Sequence, residues 1–443
     1  MVTSVVCMMS VAVAGAPASS GEEKLRVIIE TDAGGDPDDE QSLVRFLLYV
    51  NEWDVEGILA NRAAARDGEN LNTRRTGPGI VRALVDAYAS CHPRLVEHDG
   101  RYPSPERLRA ITVDATGEAG VDLLMAAAAA GDPRPIWFLD WGTDVGAAPS
   151  SLRRALDRAL REGGQEGYAR FKGRFRLSSA DAFGDHTMRL DPPFTIWVDT
   201  FRPELERRRW YHRFSALTAT AGGFDLERDV RSGHGPLGAL YPTNTTHRQK
   251  EGDTMTFLYL VPTGMNDPAE PGWGSWAGRY CAREGAEGRS YFWASCDDSL
   301  EGTKHRENTL KRWAADLQND FRARLDWCVK PRGEANHPPR VSLQGREGRS
   351  ILRVEGKSGS RLELSAEGTR DPDGDPLDHE WWIYPEPGGY TGSARIEGAR
   401  ERKASLLLPP DEEGKAIHVI LTVRDRGHPP LAAYRRLIVD AKK

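Results

Sequence analysis

The sequence predicts two domains, an α/β domain with a mostly parallel sheet and flanking helices, followed by an all-β sandwich. The chain has 443 residues, its first part alternates apolar β-branched runs with helical patterns, and its last part contains only short alternating runs. A single core stops growing near ~300 residues, so a chain of this length is expected to divide. Alternation of strands and helices is typical of a parallel sheet covered on both faces.

The first domain is expected over residues 25–331. The apolar run LRVIIE at 25–30 predicts a buried strand, and the acidic turn after it leads into a helical pattern at 41–50. Ligands of such sheets bind beyond the carboxyl ends of the strands, so the acidic turn stands where a site is expected. Further strands are predicted at 55–60, 136–140 and 194–198, and further helices at 121–130, 150–161 and 307–327.

The second domain is expected over residues 338–443, after the stiff segment His337-Pro338-Pro339. Short runs separated by Gly, Pro and Asp turns predict strands at 361–365, 379–383, 405–408, 417–423 and 434–439. The turn from Asp371 to Asp375, followed by Trp381, resembles immunoglobulin-like folds of the polycystic-kidney and cadherin-like type. Its aspartates either bind calcium or form a tight turn without a metal, and the second interpretation is the commoner one.

Residues 1–18 form a short apolar run rich in small residues, with A-x-A patterns that are typical of signal-peptide cleavage sites. We expect a signal peptide, a mature chain beginning between Gly15 and Ser19, and a secreted or periplasmic location. The alternative is an N-terminal extension of a cytosolic protein, since the run has no Lys or Arg. No later stretch reaches the ~18 apolar residues of a membrane helix, so no membrane association is expected.

The net charge and the cysteine content indicate which partners and which disulfides this protein can have. The formal net charge of −6 provides no broad basic field, which argues against nucleic acid as a partner. After the leader, the cysteines that remain are Cys91, Cys281, Cys296 and Cys328. Four cysteines can pair in three ways. Cys281 and Cys296 are close enough in sequence to close a small loop, and Cys91 with Cys328 would link distant segments of the first domain. Buried free thiols are the alternative.

The most informative motif is ETDAGGDPDDE at 30–40. Asp32, Asp36, Asp38 and Asp39 crowd a glycine-bearing turn between the predicted strand and helix. The N-terminus of the helix offsets part of their mutual repulsion, and a hard cation with oxygen ligands would offset most of it. The motif therefore predicts a calcium or magnesium site, and the alternative is a solvated acidic helix cap.

This motif resembles the calcium-binding D-T-D-x-G-x-D-D motif of the inosine-uridine nucleoside hydrolases. Glu30 stands at the first aspartate of that motif, and the turn before Asp38 is two residues longer. The longer turn is similar to a branch of secreted nucleoside-hydrolase-like proteins, some described as cellulose-binding, that also carry a C-terminal β-sandwich. Other stretches similar to this branch are SGHGPLGALYP (232–242), EGDTMTFLYLVPTGMNDP (251–268), WGSWAGRY (273–280) and RWAADLQNDFRARLDW (312–327).

The resemblance implies a Ca²⁺ site with Asp32, Asp38, Asp39 and Asp253 as ligands. It also implies that Asp32 is the catalytic base, and that Asp38 and Asn61 contact the substrate. A loop-capping role is the alternative for Asn61. Asp36 has no counterpart in the motif, and is either an additional ligand or a turn former.

Two functions follow from this resemblance. The first is metal-dependent hydrolysis of an N-glycosyl or O-glycosyl bond, in which Asp32 takes a proton from water that attacks the anomeric carbon of a nucleoside or carbohydrate. The second is non-catalytic binding of carbohydrate such as cellulose. No GxSxG, GxxxxGK or GxGxxG motif supports a serine hydrolase, ATPase or dehydrogenase.

Aromatic and histidine side chains are secondary candidates for the site. Tryptophans could stack on a base or sugar, although core packing is the commoner role: Trp141, Trp273, Trp276 and Trp293. A loop histidine could protonate a leaving group, although a hydrogen bond to the backbone is commoner: His186, His234 and His247.

Overall fold

The computed structural model describes residues 23–35, 37–65, 76–142, 150–179, 195–197, 210–243, 249–284, 290–293, 296–390, 392–410 and 416–442. For 179, 195–197, 210–213, 282–284 and 290–293 the backbone alone is described. The signal peptide expected at 1–18 lies outside the described residues, as do Asp36, His186, His247 and the side chain of Trp293.

In the described part of the first domain, eight strands form one sheet in the order β3-β2-β1-β4-β5-β6-β8-β7. Neighbouring strands are parallel except for β7, which pairs antiparallel with β8. This confirms the predicted parallel α/β architecture. The strands are β1 Leu25–Thr31, β2 Trp53–Ala60, β3 Thr112–Asp114, β4 Ile136–Trp141, β5 Phe175–Ser179, β6 Thr195–Trp197, β7 Cys281–Glu284 and β8 Ser290–Trp293.

Helices flank this sheet and bury their apolar faces against it. The helix after β1 is buried along its whole length, which agrees with its apolar spacing. The helices are α1 Asp38–Tyr49, α2 Gly77–His98, α3 Pro105–Ala110, α4 Ala119–Ala129, α5 Ser151–Lys172, α6 Trp210–Thr218, α7 Gly235–Ala239, α8 Thr254–Leu258, α9 Asn308–Lys311 and α10 Ala314–Asp326. Within the described residues, no helix has the length and apolarity needed to cross a bilayer.

The helix expected at 307–327 is divided into α9 and α10 at Trp313, so this prediction was wrong in one detail. The backbone of Trp313 has φ −106° and ψ −6°, outside regular helical values. Its ring packs edge-on against Tyr434 of the second domain, with the ring centroids 5.5 Å apart. Local periodicity cannot anticipate this break, because it accompanies a contact with a segment distant in sequence.

The second domain contains two facing sheets, one of order β13-β19-β18-β15 and one of order β14-β17-β16. Pairing is antiparallel except between β13 and β19, and a separate apolar core lies between the sheets. The predicted sandwich is thereby confirmed. Its strands are β13 Leu352–Lys357, β14 Arg361–Ser365, β15 Leu377–Tyr384, β16 Arg395–Glu397, β17 Lys403–Leu407, β18 Ala416–Asp425 and β19 Ala432–Lys442.

Smaller elements complete the chain. The first domain also contains the hairpin of β9 Asp298–Leu300 and β10 Thr303–His305, and the second domain begins with the hairpin of β11 Ser342–Leu343 and β12 Arg346–Glu347. A one-turn helix, α11 Pro385–Gly388, follows β15.

The two domains share an apolar interface. Tyr384, Ile420 and Tyr434 belong by sequence to the second domain but pack in the core of the first. Polar contacts add to it: the Tyr434 hydroxyl and the Arg424 guanidinium both bind the Asp316 carboxylate. The domains are therefore joined by packing as well as by the linker.

The cysteines combine two of the arrangements left open by the sequence. Cys281 and Cys296 form a disulfide, with 2.02 Å between their sulfur atoms. Cys91 and Cys328 are buried free thiols.

Candidate metal centre

The acidic turn lies at the carboxyl edge of the sheet, where β1 ends and α1 begins. Asp38 and Asp39 are in the first turn of α1 and are buried with it. The unpaired N–H groups and the dipole of a helix N-terminus stabilise negative charge at this position. The fold therefore tolerates buried aspartates here better than it would elsewhere.

Three carboxylates converge at this edge. Asp38, Asp39 and Asp253 each offer an oxygen atom, and these atoms all lie within 4.8 Å of one another. The side chains are almost enclosed, with 8%, 3% and 6% of their residues' surfaces exposed. The turn after β1 and the start of α8 thus meet, as the resemblance implied for the metal ligands.

Electrostatics at this group favour a bound cation. Burial raises the pKa of Asp39 well above its usual range, and the charges of Asp253, Asp32 and Asp38 raise it further. A divalent ion would remove this repulsion, and buried carboxylate oxygens are the ligands that Ca²⁺ prefers. The residues present therefore fit the ion that the sequence predicts.

The orientation of Asp39 is fixed by its neighbours. Its Oδ1 accepts hydrogen bonds from Thr31 Oγ1 at 2.5 Å and from the backbone N–H of Asp32 at 3.2 Å. Thr31 Oγ1 in turn accepts from the backbone N–H of Ala33 at 3.1 Å. The threonine in the motif thus holds one oxygen of Asp39 in place.

Asp32 lies beside this group, but its carboxylate is bound to a cation of the protein. Arg62 Nη2 donates to Asp32 Oδ2 at 2.8 Å, and Arg62 Nε donates to the backbone oxygen of Asp32 at 3.1 Å. A Cβ atom at Gly35 would lie 2.8 Å from both Nη2 and Oδ2, so glycine leaves room for this pair. The roles of Asp32 as a metal ligand and as the catalytic base therefore stay predictions.

Asn61 follows β2 and faces a buried glutamate. Its Nδ2 donates to Glu30 Oε1 at 3.4 Å, and the backbone N–H and Oγ of Ser151 donate to the same carboxylate. Burial raises the pKa of Glu30 to about 8, and the charge of Asp140 adds to this. Asn61 thus links the ends of β1 and β2, in keeping with the capping role that the sequence left open.

A buried polar network connects α1 to the segment that carries Asp253. Arg45 Nε donates to Glu251 Oε2 at 2.5 Å, and Gln41 Oε1 accepts from the backbone N–H groups of Lys250 and Glu251. Thr254 Oγ1 donates to Ser42 Oγ at 3.0 Å. This network holds the 250–254 segment against α1.

Sequence reasoning missed both Arg62 and this network. Arg62 directly follows Asn61, which was a signal that a cation stood next to a candidate site residue. Gln41 and Arg45 are one turn apart on α1 and interrupt its apolar spacing, which was a signal that this face has polar contacts.

The secondary candidates have mainly structural contacts. Trp141 and Trp276 are buried in the core, and Trp141 Nε1 donates to Thr256 Oγ1 at 2.7 Å. Trp273 packs edge-on against His418 of the second domain. His234 has its Nε2 3.2 Å from the backbone oxygen of Arg228. These positions agree with the commoner roles that the sequence analysis assigned.

The fold and the convergent carboxylates define a nucleoside-hydrolase-like domain followed by a β-sandwich. Residues 26–280 match the family described as "Cellulose-binding Sde182, nucleoside hydrolase-like domain". Residues 361–441 match the family described as "Cellulose-binding protein Sde0182, C-terminal domain". The chain belongs to the cellulose-binding Sde182 family with its nucleoside hydrolase-like domain.

A solved structure from Saccharophagus degradans supports this assignment. It is described as a nucleoside hydrolase-related hypothetical protein that is associated with carbohydrate metabolism. It is 28% identical in sequence, with a TM-score of 0.74, and the match covers 95% of this chain and 100% of that chain. No match was found among curated proteins.

Two other solved structures are similar only in part. The effector protein XOO4466 is 10% identical over 68% of this chain and 95% of its own, with a TM-score of 0.35. Human CDH23 EC21-23 is 15% identical over 24% of this chain and 33% of its own, with a TM-score of 0.19. These likenesses are too weak to bear on function.

Proposed function

We propose that this protein binds carbohydrate through a divalent cation. Asp38, Asp39 and Asp253 would hold this cation, and calcium is the ion proposed. The observation that carries the proposal is the convergence of these three buried carboxylates at the carboxyl edge of the sheet. Membership of a family described as cellulose-binding favours a β-glucan as the ligand.

Each part of the site has a defined task in this proposal. A bound Ca²⁺ would supply coordination positions for vicinal sugar hydroxyls. Asp38 would accept a hydrogen bond from a hydroxyl, since carboxylate oxygens commonly accept from sugars. Thr31 would keep Asp39 oriented, and the network around Arg45 and Glu251 would keep Asp253 in place.

Hydrolysis of an N-glycosyl or O-glycosyl bond is the second candidate. It is favoured by the position of Asp32, whose backbone N–H binds Asp39 Oδ1, so that the residue implied to be the base is adjacent to the carboxylates. The Arg62–Asp32 pair argues against hydrolysis, because Oδ2 of Asp32 already accepts a hydrogen bond from the Arg62 guanidinium. Binding without turnover therefore agrees better with the geometry.

A direct comparison separates the two candidates. The purified protein is incubated in calcium with cello-oligosaccharides and with nucleosides, while binding is followed by calorimetry and product release by chromatography. We expect saturable binding of cello-oligosaccharide with no product. Turnover that is lost in Asp32→Asn but kept in the surface variant Asp86→Asn would favour hydrolysis instead.

We also propose that the protein is exported, which rests on the small-residue pattern at 1–18. N-terminal sequencing of protein recovered outside the cytoplasm should find a start between Gly15 and Ser19. Recovery of chains that retain Met1 outside the cytoplasm would contradict signal-peptide cleavage.

A further inference from the structure

A second acidic site lies in the β-sandwich, where β18 ends next to the interdomain linker. Asp425 is the last residue of β18 and only 2% of its surface is exposed. Its Oδ1 accepts three hydrogen bonds, from Asn336 Nδ2 at 3.0 Å and from the backbone N–H groups of Gly427 at 3.0 Å and Leu431 at 2.9 Å. Its Oδ2 is buried and has no hydrogen-bond partner among the described residues.

Asp371, in the turn between β14 and β15, has the same arrangement. Its Oδ1 accepts from the backbone N–H groups of Asp373 at 2.8 Å and Asp375 at 3.0 Å. Its Oδ2 is also buried and has no hydrogen-bond partner in the part of the chain that the structure describes. In both residues, N–H donors orient the carboxylate by one oxygen and leave the other oxygen available.

The two aspartates are connected through the linker. Asn336 binds Asp425, and the backbone N–H of His337 donates to both Asn336 Oδ1 at 3.0 Å and Asp373 Oδ2 at 2.7 Å. A Cβ atom at Gly427 would lie 2.2 Å from Asn336 Nδ2, so this close approach requires glycine. The contacts therefore form one closed junction between the turn, the linker and the end of β18.

The charges at this junction are not balanced by the protein. Within the described residues, neither Asp371 nor Asp425 forms a salt bridge with Lys, Arg or His. A buried carboxylate oxygen without a partner is destabilising, because its hydration is lost on folding and no hydrogen bond replaces it. At Asp425, the hydrogen bonds from Leu431, Asn336 and Gly427 lower the pKa and so oppose neutralisation of this carboxylate by a proton.

We propose that Asp371 Oδ2 and Asp425 Oδ2 bind a divalent cation of the calcium class, separate from the centre in the first domain. Hard cations take carboxylate, carbonyl and water oxygens, and the remaining ligands here would be backbone carbonyl and water oxygens. Burial raises the pKa of Asp425, and the charge of Asp371 adds to the effect, which indicates that the two carboxylates sense each other's charge.

The proposed ion would stiffen the junction between the domains. His337 Nε2 lies 2.9 Å from Nδ1 of His98, which is the last residue of α2 in the first domain. Trp327 stacks on His98, with the ring centroids 5.3 Å apart. An ion that orders the turn and Asn336 would therefore also order the linker that contacts the first domain.

Ion counting on the full-length protein tests this proposal. Wild type, Asp371→Asn and the loop control Asp375→Asn are saturated with Ca²⁺, desalted and analysed for bound metal, and their melting temperatures are measured with and without chelator. We expect one ion fewer in Asp371→Asn than in wild type and in Asp375→Asn, together with a smaller shift of the melt by chelator. Equal ion counts and equal shifts in all three proteins would overturn the proposal.

Two further variants separate this site from the first-domain centre. Asp253→Asn should lose the first-domain ion and still bind one Ca²⁺ in calorimetry, whereas Asp253→Asn combined with Asp371→Asn should bind none. If Asp253→Asn alone binds none, the second site does not exist, and the first-domain proposal is unaffected. If Asp371→Asn raises the melting temperature equally in calcium and in chelator, the two carboxylates share a proton and bind no ion. That result would also overturn the proposal.

Discussion

Arg62 Nη2 lies 2.8 Å from Asp32 Oδ2, so the aspartate that resembles a catalytic base is bound by a guanidinium of its own protein. Arg62 also binds the backbone oxygen of Asp32, and Gly35 leaves space for both contacts. This pair sets one positive charge on Asp32, whose own charge raises the pKa of Asp39 in the carboxylate group. It therefore competes with a bound cation for the negative charge of the turn.

Removal of this charge should strengthen cation binding. Replacement of Arg62 by Ala removes a positive charge from beside Asp32, and a unit charge at such short range contributes about 1 kcal/mol or more near a protein surface. We expect the calcium affinity to rise about fivefold or more, as measured by calorimetry. Arg94→Ala, which removes a surface salt bridge with Glu97, is the control and should have no effect. An unchanged or weaker affinity in Arg62→Ala would contradict this electrostatic account.

Neutralisation of Asp39 should have opposite effects with and without calcium. In chelator, Asp39→Asn should raise the melting temperature, because it removes a buried charge that Asp253, Asp32 and Asp38 repel. In calcium it should lower the melting temperature relative to wild type, because stabilisation by a bound ion is lost. Thermal melts of wild type, Asp39→Asn and the exposed control Asp86→Asn measure both effects. A variant that melts below wild type in both conditions would indicate a purely structural role for Asp39.

Glu30 should make the stability of the ion-free protein depend on pH. Burial raises its pKa from the usual 4.5 to about 8, so the folded state binds a proton that the unfolded state has released. The unfolding free energy should therefore decrease as the pH rises from about 4.5 to about 8. Denaturant unfolding across this range in wild type and Glu30→Gln tests the assignment, since the glutamine variant should have a flatter profile. Identical profiles for the two proteins would exclude Glu30 as the source of the pH dependence.

The interface between the domains should contribute to stability. A fragment that ends at Pro331 retains the parallel sheet and should melt cooperatively, as the sequence predicts for residues 25–331. Its melting temperature should be lower than that of the whole chain, because Tyr384, Ile420 and Tyr434 no longer cover the first core. Differential scanning calorimetry of the fragment and the whole chain makes this comparison. An aggregated fragment would show that the sandwich completes the first core.

The sequence predicted those features that depend on local pattern. The apolar run at 25–30 and the helical spacing after it correspond to β1 and α1, because strand and helix periodicities are properties of short segments. The convergence of Asp253 with Asp38 and Asp39 was implied by family resemblance alone, since no local pattern brings residues more than two hundred positions apart together.

Features that depend on tertiary contacts were not predicted. Arg62 becomes significant only when β1 and β2 place it beside Asp32. The break at Trp313 accompanies a contact with Tyr434 of the second domain, and the buried oxygens of Asp371 and Asp425 lie in two separate segments that the linker joins. Each of these involves partners that are distant in sequence.

The central claim is that carbohydrate binding requires a cation held by the three carboxylates of the first domain. Calorimetric titration of a cello-oligosaccharide into the protein tests it most directly, in calcium and in chelator, for wild type and Asp253→Asn. The account predicts saturable binding by wild type in calcium, and at least a tenfold weaker affinity in chelator or in the variant. Equal affinity in all four titrations would contradict it.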